Sequence, residues 1–203
     1  MKVELPVLNL HSLYYTLQNN KFFKNAITMY YSSFSVSDYN VGFTLLVIAL
    51  ESLLSLSTYS KPEICNSCGK AKYAITSTIA QNVSLILMDH DNAIKKRIRD
   101  LYGVRSKFVH TGKEIAKEDE QEMQEFVRKV LLMYWCVSIC KVTYEHKVIM
   151  KEIQSAEYKE NILYQNFLTF LENTSFDEKH IKMVRDIFLS LSGLRKDESK
   201  NNS

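Results

Sequence analysis

The sequence predicts an all-α protein, and three observations carry that reading. Glycine and proline number only 5 and 2 in 203 residues, too few for the tight turns of an all-β chain. Apolar side chains recur at three- and four-residue spacing along most of the chain, which is the period of a helix face. No internal repeat and no strand pattern stands out against this helical period. With 46% hydrophobic and 24% charged residues, the chain can bury one sizeable core and keep a charged surface. Residues 1–195 are expected to form a single domain, with 196–203 as a disordered tail.

"LNLHSLYYTLQNN" and "FFKNAITMYYSSF" read as two amphipathic helices that pair with each other. Ser37 and Asp38 then offer a start signal for a long apolar helix, "VGFTLLVIALESLLSL", running to about Leu56. Interrupted by Glu51 and shorter than a membrane span of about 20 residues, it reads as a buried core helix, and no membrane association is expected. "STYSKPEICNSCGK" collects Pro62, Gly69 and two cysteines and is expected to be a loop. A helix from about Ala71 to Met88 follows; "DHDN" breaks it and caps the next, from about Asn92 to His110. The polar link "TGKEIAKEDEQ" leads into a long helix through "EMQEFVRKVLLMYWCVSICKVTYEH". "NILYQNFLTFLE" and "DEKHIKMVRDIFLSLSGL" are expected to add two further helices.

The opening residues lack the apolar core and cleavage site of a secretory signal, and four cysteines without such a signal point to a reducing cytoplasm. A net charge of +3 permits an anionic partner without demanding one, so the placement of charge matters more than its sum.

That placement is unusual at "LYGVRSKFVHTG". Ile94, Ile98, Leu101 and Phe108 mark an apolar seam, and the seam position between them is Arg105. His110 follows in the last turn before Gly112, where a cation complements the helix dipole. Glu51 is a second oddity, an acid in the most apolar stretch of the chain, on a stripe with Thr44, Ile48 and Ser55. Burying an unpaired carboxylate or guanidinium is expensive, so Glu51 and Arg105 are expected to share one polar pocket between two helices. Residues five apart on a regular helix diverge by about 140° and lie ~7.5 Å apart along the axis. Convergence of Arg105 and His110 on one phosphate therefore requires either fraying near His110 or a second copy of the site.

"RSKFVH" is an R-x4-H motif. With "LLVIALESLLSL" and "IRDLYGVRSKFVHTG", it resembles the HEPN superfamily (higher eukaryotes and prokaryotes nucleotide-binding), in its Apea-like branch, over roughly Tyr39 to Val142. The resemblance implies a HEPN-like helical bundle with additional N- and C-terminal helices. It further implies a metal-independent endoribonuclease, without cofactors, acting in toxin–antitoxin, anti-phage defence or stress systems. The implied assembly is a homodimer whose two motifs line one cleft, with RNA as substrate and a protein antitoxin or defence partner as a further candidate. Arg105 would hold the scissile phosphate, His110 would transfer the proton for attack by the ribose 2′-OH, and Glu51 would support them. Ser106 stands where relatives usually carry Asn, Asp or His, and Thr111 stands where many carry glycine. The alternatives are a non-catalytic HEPN module that binds RNA or a protein, and a helical scaffold in which Glu51 and Arg105 only fix helix register.

On the RNA reading, Lys95, Lys96 and Arg99 are the natural backbone contacts beside Arg97, with Ser106 and Lys107 nearer the cleft. Tyr102 is a candidate for stacking on a base, or else packs in the core. Cys65 and Cys68 form a C-x2-C, which is half of a tetrahedral zinc motif. Cys136 and Cys140, one helical turn apart, would have to complete it; ordinary thiols and no bound metal are the expectation. His11, His90, His146 and His180 have no ligand spacing and read as surface or helix-end residues.

Overall fold

The computed structural model describes residues 10–55, 63–64, 71–72, 75–87, 89, 91–140 and 143–155. Among them, helices α1 (Leu10–Asn19), α2 (Lys21–Ser33) and α3 (Tyr39–Leu54) come first. Strands β1 (Glu63–Ile64) and β2 (Ala71–Lys72) make one short antiparallel pairing, with Glu63 opposite Lys72. Helices α4 (Ile75–Ile86), α5 (Ala93–Thr111), α6 (Lys117–Cys140) and α7 (His146–Ser155) complete the order. The fold is all-α, as the sequence predicts. The tail at 196–203 and the two helices expected after residue 160 lie outside the described residues.

Asn20 separates α1 from α2. Its side-chain oxygen accepts from Phe23 N at 3.0 Å, satisfying one of the free amides at the start of α2. Asp38 does the same for α3, accepting from Asn40 N at 2.7 Å. α3 then buries Phe43, Leu46, Val47, Leu50, Leu53 and Leu54 completely, against α2, α4, α5 and α6. Each such side chain contributes about 1.5–3 kcal/mol over an exposed one, which makes α3 the main source of core stability. Both ends of α3 are tied down by amides. Asn40 Oδ1 accepts from Ile115 N at 2.9 Å, holding the α5–α6 link, and Asn82 Nδ2 donates to Leu54 O at 2.9 Å.

Several boundaries differ from expectation. Ala71 and Lys72 do not begin a helix but pair with β1, and α4 starts at Ile75. Asn92, the N-cap of α5, makes no side-chain cap bond; with φ at 58° it serves the turn instead. Asp91 and Asp89 do the capping, accepting from Ala93 N and Lys95 N, each at 3.0 Å. The polar link is shorter than its composition implies, because α6 already begins at Lys117. Glu118, Asp119 and Glu120 sit in its first turn, where acids complement the helix dipole. α6 stops at Cys140, and "HKVIMKEIQS" forms α7, an element not anticipated, with Ile149, Met150 and Ile153 buried on one face.

The same region corrects the reading of His146. It opens α7, but its ring stacks on Phe22 with centroids 4.0 Å apart, and its Nδ1 lies 2.8 Å from Tyr134 Oη. Asn20 Nδ2 donates to that same hydroxyl at 2.9 Å and to Tyr144 O at 3.0 Å. The Tyr134 hydroxyl and His146 Nδ1 share one hydrogen bond, and the other ring nitrogen, Nε2, is buried with no partner among the described residues. Burial pushes the His146 pKa down to about 4 from its ordinary 6.5. A depressed histidine pKa means the unfolded chain binds the extra proton between pH 6.5 and about 4, so this contribution is present at neutral pH and lost as pH falls through that window. Denaturant midpoints at pH 7 and pH 4.5 should therefore drop more in the wild type than in His146→Gln. Equal drops in both would show that His146 does not carry the pH dependence.

Candidate functional site

α5 is held at its N-terminal half by a clasp with α6. Arg97 Nη2 meets Asp119 Oδ1 at 2.7 Å and Glu122 Oε2 at 2.6 Å, and its Nε donates to Glu122 at 2.9 Å. These contacts raise the Arg97 pKa further, with the Glu122 bond the largest cause. Arg97 is thus a structural cation. Ile98, Leu101 and Tyr102 pack into the core, and Ile94, Val104 and Phe108 lie partly buried against it.

Tyr102 is only 5% exposed, so it packs in the core and does not present its ring to a base. Its hydroxyl is buried without a hydrogen-bond partner among the described residues, and so is Nε of Arg105. The two residues are three apart on α5 and therefore share a face. Burial raises the Tyr102 pKa strongly; the negative charge of Glu51 adds to the rise and the positive charge of Arg105 opposes it. Glu51 itself is half-buried on α3, and burial raises its pKa while Arg105 partly offsets the rise.

Glu51, Tyr102 and Arg105 therefore do gather at the α3–α5 contact, as the sequence leads one to expect for the two charged residues. They do so through field effects alone. Among the described residues no hydrogen bond or ion pair joins Glu51 to Arg105, so the pair is not a closed register lock. Thr44 and Ile48 continue the half-buried strip along α3, and Ser55 is exposed at its end.

His110 is exposed in the last turn of α5. α5 does not fray there. Helical structure continues to Thr111, and Gly112 closes it with φ at 70° while its amide donates to Phe108 O at 2.9 Å. The helix angle therefore separates Arg105 and His110 by about 140° within one chain. Lys96, Arg99, Lys107 and His110 fall within an arc of about 80° on the outward side, with Arg105 roughly opposite. Lys96, Lys107 and Ser106 are exposed, and Lys95 is half-buried. Arg99 is exposed and donates from Nη2 to Ser77 Oγ at 3.1 Å.

Cys65 and Cys68 lie outside the described residues, as do the side chains of Cys136 and Cys140, so the zinc alternative falls outside them too. Among the described residues no group of three or more His, Cys, Asp or Glu side chains could hold a metal ion, and no helix is long and apolar enough to cross a membrane. The sequence singles out Glu51 and Arg105 as neighbours but gives no sign that the Tyr102 hydroxyl is the third polar group beside them, beyond the three-residue step from Tyr102 to Arg105.

No family model matches the chain, and neither the curated proteins nor the solved structures contain a match.

The charge coupling at this site is directly measurable. Carboxyl titration of Glu51 by carbon NMR should place its pKa above the ordinary value of 4.5, and Arg105→Ala should move it higher still, because the opposing positive charge is gone. An unchanged Glu51 titration in the variant would separate the two residues.

Proposed function

We propose that this protein is a metal-independent endoribonuclease of the HEPN type that works as a symmetric pair of chains. The observation that carries the reading is the Arg105 guanidinium. It lies at a seam position of α5, half-buried, and among the described residues no acid is bonded to it and its buried Nε has no partner. A planar fork of donors left unpaired in a partly desolvated place suits a phosphate. A purely structural role would favour a closed Glu51–Arg105 ion pair, which this arrangement lacks.

The chemistry follows from the resemblance of "RSKFVH" to the family motif. Arg105 neutralises the scissile phosphate. The ribose 2′-oxygen attacks phosphorus, a histidine takes the 2′-OH proton, and the bond from phosphorus to the 5′-oxygen breaks as that oxygen gains a proton. The products are a 2′,3′-cyclic phosphate and a 5′-hydroxyl. Because α5 is regular through Thr111, one chain turns Arg105 and His110 to different sides. Two chains related by a two-fold axis beside α5 would bring the Arg105 of one to the His110 of the other. Lys96, Arg99 and Lys107, on the outward face with His110, would then follow the RNA backbone.

Cleavage of RNA should persist in excess EDTA and leave cyclic-phosphate and 5′-hydroxyl ends. His110→Ala should abolish it, and Arg105→Lys should remove most of it, because a point charge does not replace the fork. An obligatory metal, 5′-phosphate products or intact RNA with the wild-type chain would overturn the reading; RNA binding without cleavage would leave a non-catalytic module.

Mixing tests the shared site. Arg105→Ala and His110→Ala chains, each inactive alone, should together recover about a quarter of wild-type activity, since half of randomly paired dimers are mixed and each mixed dimer has one intact site of two. Mixed dimers that form and stay inactive would rule out sharing across the axis.

A further inference from the structure

Gly103 sits in the interior of α5, with no turn or cap to serve. Glycine in a helix interior is unfavourable relative to alanine. Crowding would justify it, yet a Cβ at this position would meet no atom of the described residues within 4 Å. Gly42 on α3 shows the contrast, because a Cβ there would lie 3.2 Å from Glu120 Oε1 and 3.4 Å from Ser33 O. Packing among the described residues therefore explains Gly42 and does not explain Gly103.

What surrounds Gly103 is cationic. Arg99 and Lys107 stand four residues to either side and Lys96 and His110 seven, all within about 40° of it around the helix. All four are exposed, and among the described residues no acid is bonded to any of them. Arg99 spends one donor on the neutral Ser77 hydroxyl. One pair of cations thus stands ~6–10 Å before Gly103 and the other the same distance beyond it. Between the pairs the surface dips. Cα atoms lie ~2.3 Å from a helix axis and side-chain surfaces ~5–6 Å from it, so a missing side chain leaves a hollow ~3 Å deep. The other two residues on its rim are exposed: Ser106 offers a hydroxyl, and Asp100, on the side toward Arg97, offers a carboxylate with no ion pair among the described residues.

We propose that Gly103 is the point where RNA comes closest to α5. One phosphodiester strand is held by Lys96 and Arg99, sinks into the hollow on its Ser106 side, and passes on to Lys107 and His110. Its sugar–phosphate backbone touches the helix backbone where any side chain would stand in the way. This rests on RNA as the ligand in the function proposed above.

The test separates stability from binding, because the two should move in opposite directions. Gly103→Ala should raise the melting temperature by roughly 2–4 °C, and Gly103→Gln should not lower it. Binding is read by fluorescence anisotropy, in EDTA at one fixed salt concentration, with a labelled single strand of 2′-O-methyl RNA of mixed sequence. That strand has no 2′-OH to attack phosphorus, so it reports binding without cleavage. Gly103→Gln should weaken binding by about tenfold or more and Gly103→Ala by about threefold, whereas Asp100→Asn should tighten it a few-fold. Light scattering on each variant checks that the number of chains is unchanged. Equal binding by the wild type and Gly103→Gln would overturn the proposal, as would no binding by either. If the wild type still cleaves unmodified RNA in that case, the ribonuclease reading stands without the hollow. Binding that depends on Gly103, with unmodified RNA left intact, would keep the surface and remove the ribonuclease reading. A Gly103→Gln chain that binds RNA normally and loses self-association would assign the hollow to a second chain and overturn the proposal.

Discussion

The whole arrangement depends on the need to enclose α3. A helix that is apolar around most of its circumference cannot face water on any broad side, so α2, α4, α5 and α6 must all approach it. Enclosure is nearly complete, and the incomplete part is the strip bearing Thr44, Ile48 and Glu51. α5 lies over that strip. Glu51 is tolerated in an otherwise buried helix because it sits at this seam, where water still reaches it and the positive charge of Arg105 lies near. The polar cluster is thus a consequence of how four helices cover a fifth.

The remaining contacts fix where α5 stands relative to α3. Asn40 holds the link after α5, and the Arg97 clasp holds its first half to α6. Arg105 lies eight residues beyond Arg97, two turns or so from the clasp, with no polar bond of its own among those described. Its position is imposed by the flanking anchors, and its donors are left over. Polar groups held in place by their neighbours and not by their own bonds are what a binding site requires.

Much of this was legible in the sequence because it follows from periodicity. The all-α class, the start of α3 at Asp38, the close of α5 at Gly112 and the meeting of Glu51 with Arg105 all follow from local spacing and the cost of burying charge. What escaped depends on partners distant in sequence. His146 looked like a surface residue because its environment comes from Asn20, Phe22 and Tyr134. α7 was missed because only three of its ten residues are buried, and a short apolar pattern is weak until α4 and α6 are there to receive it. Tyr102 was ambiguous for a similar reason: an aromatic ring suits a core and a nucleobase equally well until the opposing surface is known.

The acidic first turn of α6 has a consequence for direction. Asp119 and Glu122 lie against the start of α5, where both are spent on Arg97. Lys96 and Arg99 stand near that clasp, and Lys107 and His110 continue the exposed cationic strip toward the end of the helix. Arg97 points about 80° away from the edge of that strip, so the acids of α6 border it on one flank only. A chain of phosphates laid along the strip would be repelled from that flank, so the charge layout sets the side of approach independently of what happens at Arg105.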